Sequence, residues 1–259
     1  MNSGVPTTLP PLTRRLLGWE IIIVFALSLG ASALYAVINL IGSLTAPKAL
    51  RQQQALLVGS LAPGRPLLDL TLQLANILTT LAPVALVFYL LAREGEGPSA
   101  LGIDTTRPAS DLARGAVLAA VIGGSGLALY IAAFHLGISL NVVPENLPAI
   151  WWRVPVLILD AAQNGILEEV LVLGYLLRRL DQLGWAPGKA IALAAVVRGS
   201  YHLYQGFGGF IGNAILGVIF GVLYKRWGRV TPMIIAHTLI DTGAFVGYAV
   251  LHGHVSWLP

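Results

Sequence analysis

The sequence contains no cysteine in its 259 residues. Disulfide bonds, thiolate nucleophiles and cysteine-ligated metals are therefore excluded. Charged residues are also scarce. They make up 11% of the chain, whereas a soluble domain carries about 25%. Outside the apolar stretches, no segment is long enough to form a second folded core. These absences argue against an ordinary soluble protein and favour a single membrane-type domain.

Long apolar stretches dominate what is present. Hydrophobic residues are 56% of the chain, and the mean hydropathy is +0.76. Each stretch can satisfy its backbone hydrogen bonds as a helix, which a lipid environment requires. We therefore predict an all-α, polytopic transmembrane helix bundle of about seven spans, or about eight if one span is hidden. The apolar stretches cover residues 16–44, 66–92, 110–138, 154–178, 188–204, 208–225 and 230–252.

The distribution of positive charge predicts the orientation of the chain. With a cytoplasmic N-terminus, most arginines and lysines fall in cytoplasmic segments, as the positive-inside rule requires. The external segments then hold only Lys48, Arg51, Arg65 and Arg153. We predict residues 1–15 as a cytoplasmic tail and residues 16–259 as one integral domain of the cell membrane. No basic block with interleaved aromatic residues indicates a nucleic-acid partner.

The segment 140–153 lies between the third and fourth apolar stretches. It contains two prolines and the adjacent pair Trp151 and Trp152. Tryptophan is enriched where a membrane meets water. We predict an interfacial segment here, with room for a short extra helix.

Acid–base side chains occur inside three of the predicted spans. Ionisable groups are costly in a membrane and mark functional sites by default. At about 1.5 Å per helical residue, these groups lie roughly 12–20 Å from the cytoplasmic helix ends, so they share a similar depth. The candidate catalytic residues are Glu168, His202, His237 and Asp241. The candidate supporting residues are Asn164, Glu169 and Arg198.

Helical spacing predicts how these side chains are oriented. His237 and Asp241 are four residues apart and share one helix face. Asn164 and Glu168 are also four residues apart, so Glu168 continues a polar stripe. Glu169 is rotated by about 100° from Glu168. We therefore expect the two glutamates to point in different directions, one into a cavity and the other towards a neighbouring helix.

Structural interpretations compete with a functional one for some of these polar residues. A single histidine in a membrane helix commonly serves packing or hydrogen bonding. A softer polar stripe in the second stretch is typical of hydrogen bonding between helices. This stripe consists of Asp69, Gln73, Asn76 and Thr80. The four candidate catalytic residues differ from such cases, because they come from three helices and share one depth.

Three motifs occur in the second half of the chain: "EEVLVLGY" from Glu168, "RGSYH" ending at His202 and "HTLID" from His237. They resemble those of the CPBP family of intramembrane proteases. This family is also called the CAAX prenyl protease type 2 or Abi family. Its pattern is Glu-Glu-x-x-x-Arg, Phe-x-x-x-His and His-x-x-x-Asn/Asp, each on a separate transmembrane helix. The resemblance covers residues 155–250.

The resemblance implies an intramembrane endopeptidase that cleaves a membrane-embedded or membrane-adjacent peptide, with prenylated peptides included. Glu168 would be the general base that activates a water, and His202 would hold that water or shuttle its proton. His237 and residue 241 would face the oxyanion. Asparagine suits this position better, because its amide can donate a hydrogen bond to the oxyanion. Asp241 could instead orient His237. The same four residues are a candidate nitrogen and oxygen ligand set for zinc, so a metal-dependent and a direct glutamate mechanism both stay open.

Two further departures from the family pattern are connected. The family arginine is Leu173 here, and the family phenylalanine is Arg198. We predict that Arg198 takes the place of the missing arginine and pairs with Glu169, because a guanidinium binds buried carboxylates through two parallel hydrogen bonds. Two other functions stay open: a non-catalytic membrane partner or immunity protein of the same fold, and a proton-coupled transporter.

Overall fold

A computed structural model describes residues 11–251, and residues 1–10 and 252–259 lie outside this range. The described range contains ten α-helices and two short strands. The first half comprises α1 (Pro11–Ala26), α2 (Leu29–Thr45), β1 (Gln54–Val58), α3 (Pro66–Thr80), α4 (Ala82–Arg93) and α5 (Pro108–His135). The second half comprises β2 (Asn141–Glu145), α6 (Arg153–Glu168), α7 (Leu177–Gln182), α8 (Pro187–Ser200), α9 (Phe207–Trp227) and α10 (Thr231–Leu251). A π-helical segment, Glu169–Leu176, joins α6 directly to α7.

Proline marks the start of several helices. It occupies one of the first two positions of α3, α4, α5 and α8. Proline suits these positions because its missing N–H would have no partner in the first turn and its φ angle is already helical. The predicted tail overlaps the first helix, because α1 begins at Pro11 within the described residues.

The predicted all-α membrane-type bundle is confirmed, and all seven apolar stretches form helices. The first stretch is broken between α1 and α2 by a bend of 54°. Judged by length and composition, four helical segments of the described range are able to cross a membrane, and the bent pair would make a fifth. These four are Pro66–Arg93, Pro108–His135, Phe207–Trp227 and Thr231–Leu251. The predicted count of seven spans is therefore not confirmed.

The segment 140–153 contains a strand and not the short extra helix for which the sequence has room. It contributes β2, which pairs in parallel with β1. Val142 and Val143 favour a strand, because β-branched side chains fit a pleated surface. The end of β2 is fixed by Glu145, which forms an ion pair with Arg153 at the start of α6. This pairing between distant segments positions the N-terminal end of α6.

The helix that runs through α6, the π-helical segment and α7 forms the centre of the bundle. Every residue of the π-helical segment is buried. α10 packs along α6, and Gly165 permits their close approach. A Cβ atom at Gly165 would lie 2.7 Å from Oγ1 of Thr238. α8 packs against α9 on another side. This arrangement brings α6, α8 and α10 together around one point of the interior.

A charged cluster closes the end of the bundle where α9 passes into α10. Arg229 donates hydrogen bonds to Asp111, the shortest of them 2.6 Å, and to Asp104 at 3.0 Å. Asp111 is buried, whereas Asp104 is partly exposed. The hydrogen bonds from Arg229 hold the pKa of Asp104 well below its ordinary value. The link therefore fastens the start of α10 to α5 and its preceding loop.

Replacing Arg229 by leucine should destabilise the bundle. The buried carboxylate of Asp111 would lose its cation, and breaking a buried ion pair from one side costs about 3 kcal/mol or more. The measurement is thermal and denaturant unfolding of the purified protein in detergent. Arg226→Leu is the matched control, because Arg226 is exposed at the same end of α9. If both variants were equally stable, the ion pairs of Arg229 would not stabilise the bundle as we predict.

Candidate active site

The candidate residues converge where α6, α8 and α10 meet. Glu168 ends α6, and Glu169 begins the π-helical segment. Arg198 lies in the last turn of α8, and His237 and Asp241 lie on α10. All of these except Asp241 are buried, although they carry charge or ring nitrogens. Three separate helices thus bring ionisable groups into one interior cluster.

Arg198 stands at the centre of this cluster and is 0% exposed. Its Nη1 donates to Oε1 of Glu169 at 2.7 Å, and its Nη2 lies 3.3 Å from Oε2 of Glu168. The predicted pair between Arg198 and Glu169 is therefore present. The guanidinium also lies over the ring of Phe220 on α9, 5.6 Å from its centroid. A single cation thus faces two carboxylates that lie on another helix.

The two glutamates do not point in different directions, so that prediction was wrong. Both carboxylates reach Arg198, and each also lies near His237. A rotation of 100° per residue describes a regular α-helix, but the helix changes to π geometry at this point. Two flexible methylene groups in each side chain then bring neighbouring carboxylates to one cation.

Glu168 and Glu169 differ in burial and in partners. The side chain of Glu169 is 0% exposed, and that of Glu168 is 11% exposed. Oε2 of Glu168 accepts a hydrogen bond from the hydroxyl of Tyr201 at 2.8 Å. Its Oε1 faces Nε2 of His202 across 3.9 Å, which is too long for a direct hydrogen bond. Of the two carboxylates, only that of Glu168 reaches the margin of the cluster.

His202 lies beyond the end of its helix, whereas the sequence predicted it within the helix. α8 ends at Ser200, and the chain reverses through Gly206, whose φ of +96° favours glycine. Nδ1 of His202 lies 3.0 Å from the carbonyl oxygen of Arg198. A carbonyl oxygen can only accept, so Nδ1 carries the proton and donates. In the neutral ring, Nε2 therefore presents a lone pair towards Glu168.

His237 connects the buried glutamate with Asp241. Its Nδ1 lies 2.8 Å from Oε1 of Glu169 and donates to it. Its Nε2 lies 3.5 Å from Oδ2 of Asp241, which agrees with the shared helix face that the spacing predicts. The amide nitrogen of Asn164 lies 3.5 Å from the same oxygen. A polar chain therefore extends from the sealed core of the cluster to its margin.

Tyr201 is a member of the cluster that sequence reasoning missed. It lies three residues after Arg198, so helical spacing puts it near the same face. That spacing was the available signal, but the family motif leaves this position open. Asp69 and Gln73, in contrast, lie outside the cluster and bond to the loop at residues 59–61. They do not join helices, although the sequence predicted that role for their stripe.

One group of three side chains in the described range has the spacing of a metal site. Ligand atoms of Glu168, Glu169 and His237 lie within 4.8 Å of one another. The set differs from the predicted one, because Glu169 takes part and neither His202 nor Asp241 does. Arg198 contacts both of these carboxylates. The guanidinium of Arg198 therefore already neutralises carboxylate charge in this group.

Part of the chain is similar to a known protein family. The cluster and the apolar helices define a membrane-type bundle with ionisable groups at its centre. Residues 150–243 match the family model described as Rce1-like, type II CAAX prenyl endopeptidase, which confirms the predicted family for this part of the chain. The match agrees with the predicted intramembrane protease family over these residues, and the described range contains helices of membrane-spanning length and composition. No curated protein and no solved structure matches the chain.

Replacing Arg198 by leucine should unfold or inactivate the protein. Both carboxylates would lose their shared cation, and leaving such charges buried costs about 3–5 kcal/mol. Folding is measured by thermal unfolding in detergent and activity by peptide cleavage. We expect the additional change Leu173→Arg to restore part of the lost folding and activity, because it places a cation on the helix that carries Glu169.

Arg226→Leu serves as the control for removing an exposed arginine. If Arg198→Leu folded and cleaved peptide like the unchanged chain, Arg198 would not be the replacement for the family arginine at position 173. If the double variant Arg198→Leu, Leu173→Arg recovered neither folding nor activity, a cation at position 173 would be unable to replace the one at position 198.

Proposed function

We propose that the protein is a glutamate-dependent intramembrane endopeptidase. The observation that carries this proposal is the unequal placement of the two carboxylates. Glu169 is sealed between Arg198 and His237, whereas Glu168 reaches the margin and faces a histidine lone pair across 3.9 Å. A water molecule between these two acceptors could donate one hydrogen to each. This pairing is what a general-base hydrolysis requires.

Glu168 is the general base of the proposed reaction. Its Oε1 accepts a proton from the water, and the water oxygen attacks the peptide carbonyl carbon. His202 orients the same water through Nε2, because its Nδ1 proton is committed to the carbonyl of Arg198. The protonated Glu168 then delivers the proton to the leaving amine when the C–N bond breaks. The amine and the new carboxyl group leave as the two products.

His237 is the proposed electrostatic partner of the oxyanion. With Nδ1 donating to Glu169, Nε2 can donate to an oxyanion only in the doubly protonated ring. The carboxylates of Glu169 and Asp241 lie on the two sides of this ring and would stabilise its positive charge. Oriented donors of this kind stabilise charge that develops in the transition state. In this proposal Asp241 orients His237, and Asn164 holds Asp241.

We propose that the reaction needs no metal. Two carboxylates and an imidazole are ligands that zinc accepts. However, the guanidinium of Arg198 lies 2.7 Å from Glu169 and 3.3 Å from Glu168. A divalent ion held by these oxygens would stand beside that fixed cation, so the donor set does not fit a metal. The remaining predicted ligands, His202 and Asp241, do not complete the group of three.

The proposed substrate is a peptide embedded in the membrane or adjacent to it, including prenylated peptides. This proposal follows the description of the matched family. The proposed orientation has a cytoplasmic N-terminus and one integral domain over residues 16–259. The concentration of arginine and lysine at one set of helix ends supports it.

Replacing Glu168 by glutamine should abolish cleavage and leave the fold intact. The amide keeps the shape of the side chain but cannot accept the proton of the water. The assay uses the purified full chain in detergent with an internally quenched, farnesylated peptide that ends in a CAAX sequence. The same peptide without the farnesyl group tests whether prenylation matters.

Glu96→Gln is the matched control, because Glu96 pairs with Arg178 on α7 and forms no ion pair with the cluster among the described residues. Cleavage by Glu168→Gln at the wild-type rate would refute the proposed base. If no variant and no wild-type protein cleaves any peptide, a non-catalytic membrane partner becomes the better interpretation.

Chelation should leave the activity unchanged. We expect the rate of peptide cleavage to stay constant after the protein is incubated with EDTA or 1,10-phenanthroline and passed through a desalting column. Elemental analysis of the purified protein should find less than one zinc per chain. Loss of activity with the chelator and its return with added Zn²⁺ would overturn the metal-independent mechanism.

A further inference from the structure

The hydroxyl of Tyr201 has a specific place in the cluster. Tyr201 follows the last residue of α8 and is 5% exposed. A buried tyrosine hydroxyl requires a hydrogen-bond partner, and here the partner is Oε2 of Glu168 at 2.8 Å. The carboxylate can only accept in its ionised form, so the hydroxyl donates. Tyr201 thus contacts the side chain that the proposed reaction uses, and it does so through one defined atom.

The two oxygens of Glu168 have different surroundings. Oε2 accepts from Tyr201 at 2.8 Å and lies 3.3 Å from Nη2 of Arg198. Oε1 has Nε2 of His202 as its neighbour, at 3.9 Å. A carboxylate rotates readily about its last carbon–carbon bond, because this terminal torsion is broad. One hydrogen bond and one ion pair on the same oxygen hold the group against that rotation and leave the other oxygen facing His202.

Arg198 alone does not account for this orientation. Its shorter contact, 2.7 Å, is with Glu169, and the contact with Glu168 is longer. The guanidinium therefore neutralises both carboxylates, while the tyrosine hydroxyl contacts only one of them. The ring of Tyr201 also packs beside His202, with ring centroids 4.7 Å apart. One residue therefore contacts both side chains between which the proposed water lies.

We propose that Tyr201 is a positioning residue that fixes the carboxylate plane of Glu168, so that Oε1 faces His202 and the attacking water. This inference rests on the proposed role of Glu168 as the base. Misplacement of a reacting group by about 1 Å can lower a rate by about 100-fold. The hydroxyl acts on catalysis through Glu168 and has no contact with the substrate in this proposal.

The test is the variant Tyr201→Phe, which removes the hydroxyl and keeps the buried ring. Steady-state cleavage of the internally quenched farnesylated CAAX peptide is measured with the full chain in detergent. We expect kcat to fall by about 10- to 100-fold, as for the loss of a hydrogen bond to a charged group. KM should stay within about twofold, since the substrate contacts are unchanged in this proposal. The melting temperature should stay close to that of the unchanged chain.

Tyr204→Phe is the matched control. Tyr204 lies three residues further on, and its ring stacks on that of His202. Its hydroxyl accepts from the side chain of Gln205 and has no hydrogen bond to Glu168 among the described residues. Removing this hydroxyl should leave kcat within about twofold, because the ring that contacts His202 remains. A fall in kcat equal to that of Tyr201→Phe would overturn the specific role of Tyr201.

Infrared difference spectroscopy supplies a readout that does not depend on activity. The difference between the unchanged chain and Glu168→Gln identifies the carboxylate bands of Glu168. These bands should shift in Tyr201→Phe and stay in place in Tyr204→Phe, because only the first variant loses a hydrogen bond to this carboxylate. Unshifted bands in Tyr201→Phe would overturn the proposal.

The kinetic outcomes separate this inference from the proposed function. If the unchanged chain cleaves the peptide and Glu168→Gln does not, the base is supported, and Tyr201→Phe alone decides the positioning role. Wild-type kcat in Tyr201→Phe, or a rise in KM without a fall in kcat, then overturns the positioning role only. Cleavage by Glu168→Gln at the wild-type rate overturns the base itself, and the positioning role falls with it.

Discussion

The contact between Arg198 and two adjacent glutamates is the constraint on which the rest of the interior depends. A buried carboxylate without a cation is strongly unfavourable, and this bundle buries two of them on one helix. The guanidinium comes from α8, and the histidine that shares Glu169 comes from α10. The packing of α6, α8 and α10 is therefore tied to charge neutralisation as well as to apolar burial. The same charge neutralisation positions the candidate site, because every candidate catalytic side chain lies on or just after these helices.

Burial distinguishes the two glutamates, and this difference supports a structural role for Glu169 and the proposed chemical role for Glu168. Glu169 is sealed and makes its contacts with Arg198 and His237. Glu168 shares the cation but keeps one oxygen at the margin of the cluster. A protein that buries a reactive carboxylate must keep it ionised and still leave it accessible. Here Arg198 stabilises the ionised form of both glutamates, and Glu168 is the one that remains accessible.

The sequence predicted those features that depend on composition or on regular helix spacing. Apolar stretches predicted the helices, because an unpaired backbone is not tolerated in lipid. The paired departures at Leu173 and Arg198 predicted the link to Glu169. The direction of Glu168 was not predictable from a constant rotation per residue, because the helix changes to π geometry there. Likewise β1 and β2 depend on pairing between segments far apart in the chain, which neither segment signals alone.

The position of Arg198 also has an evolutionary consequence. In the family pattern the cation would stand at residue 173, on the helix of the glutamates. A lineage that lost that arginine first would leave two negative charges with no positive neighbour in the interior. A lineage that first gained Arg198 would pass through an intermediate with two arginines and two glutamates, whose charges cancel. Of these two orders of substitution, gain before loss is the one that avoids an interior with two unneutralised carboxylates.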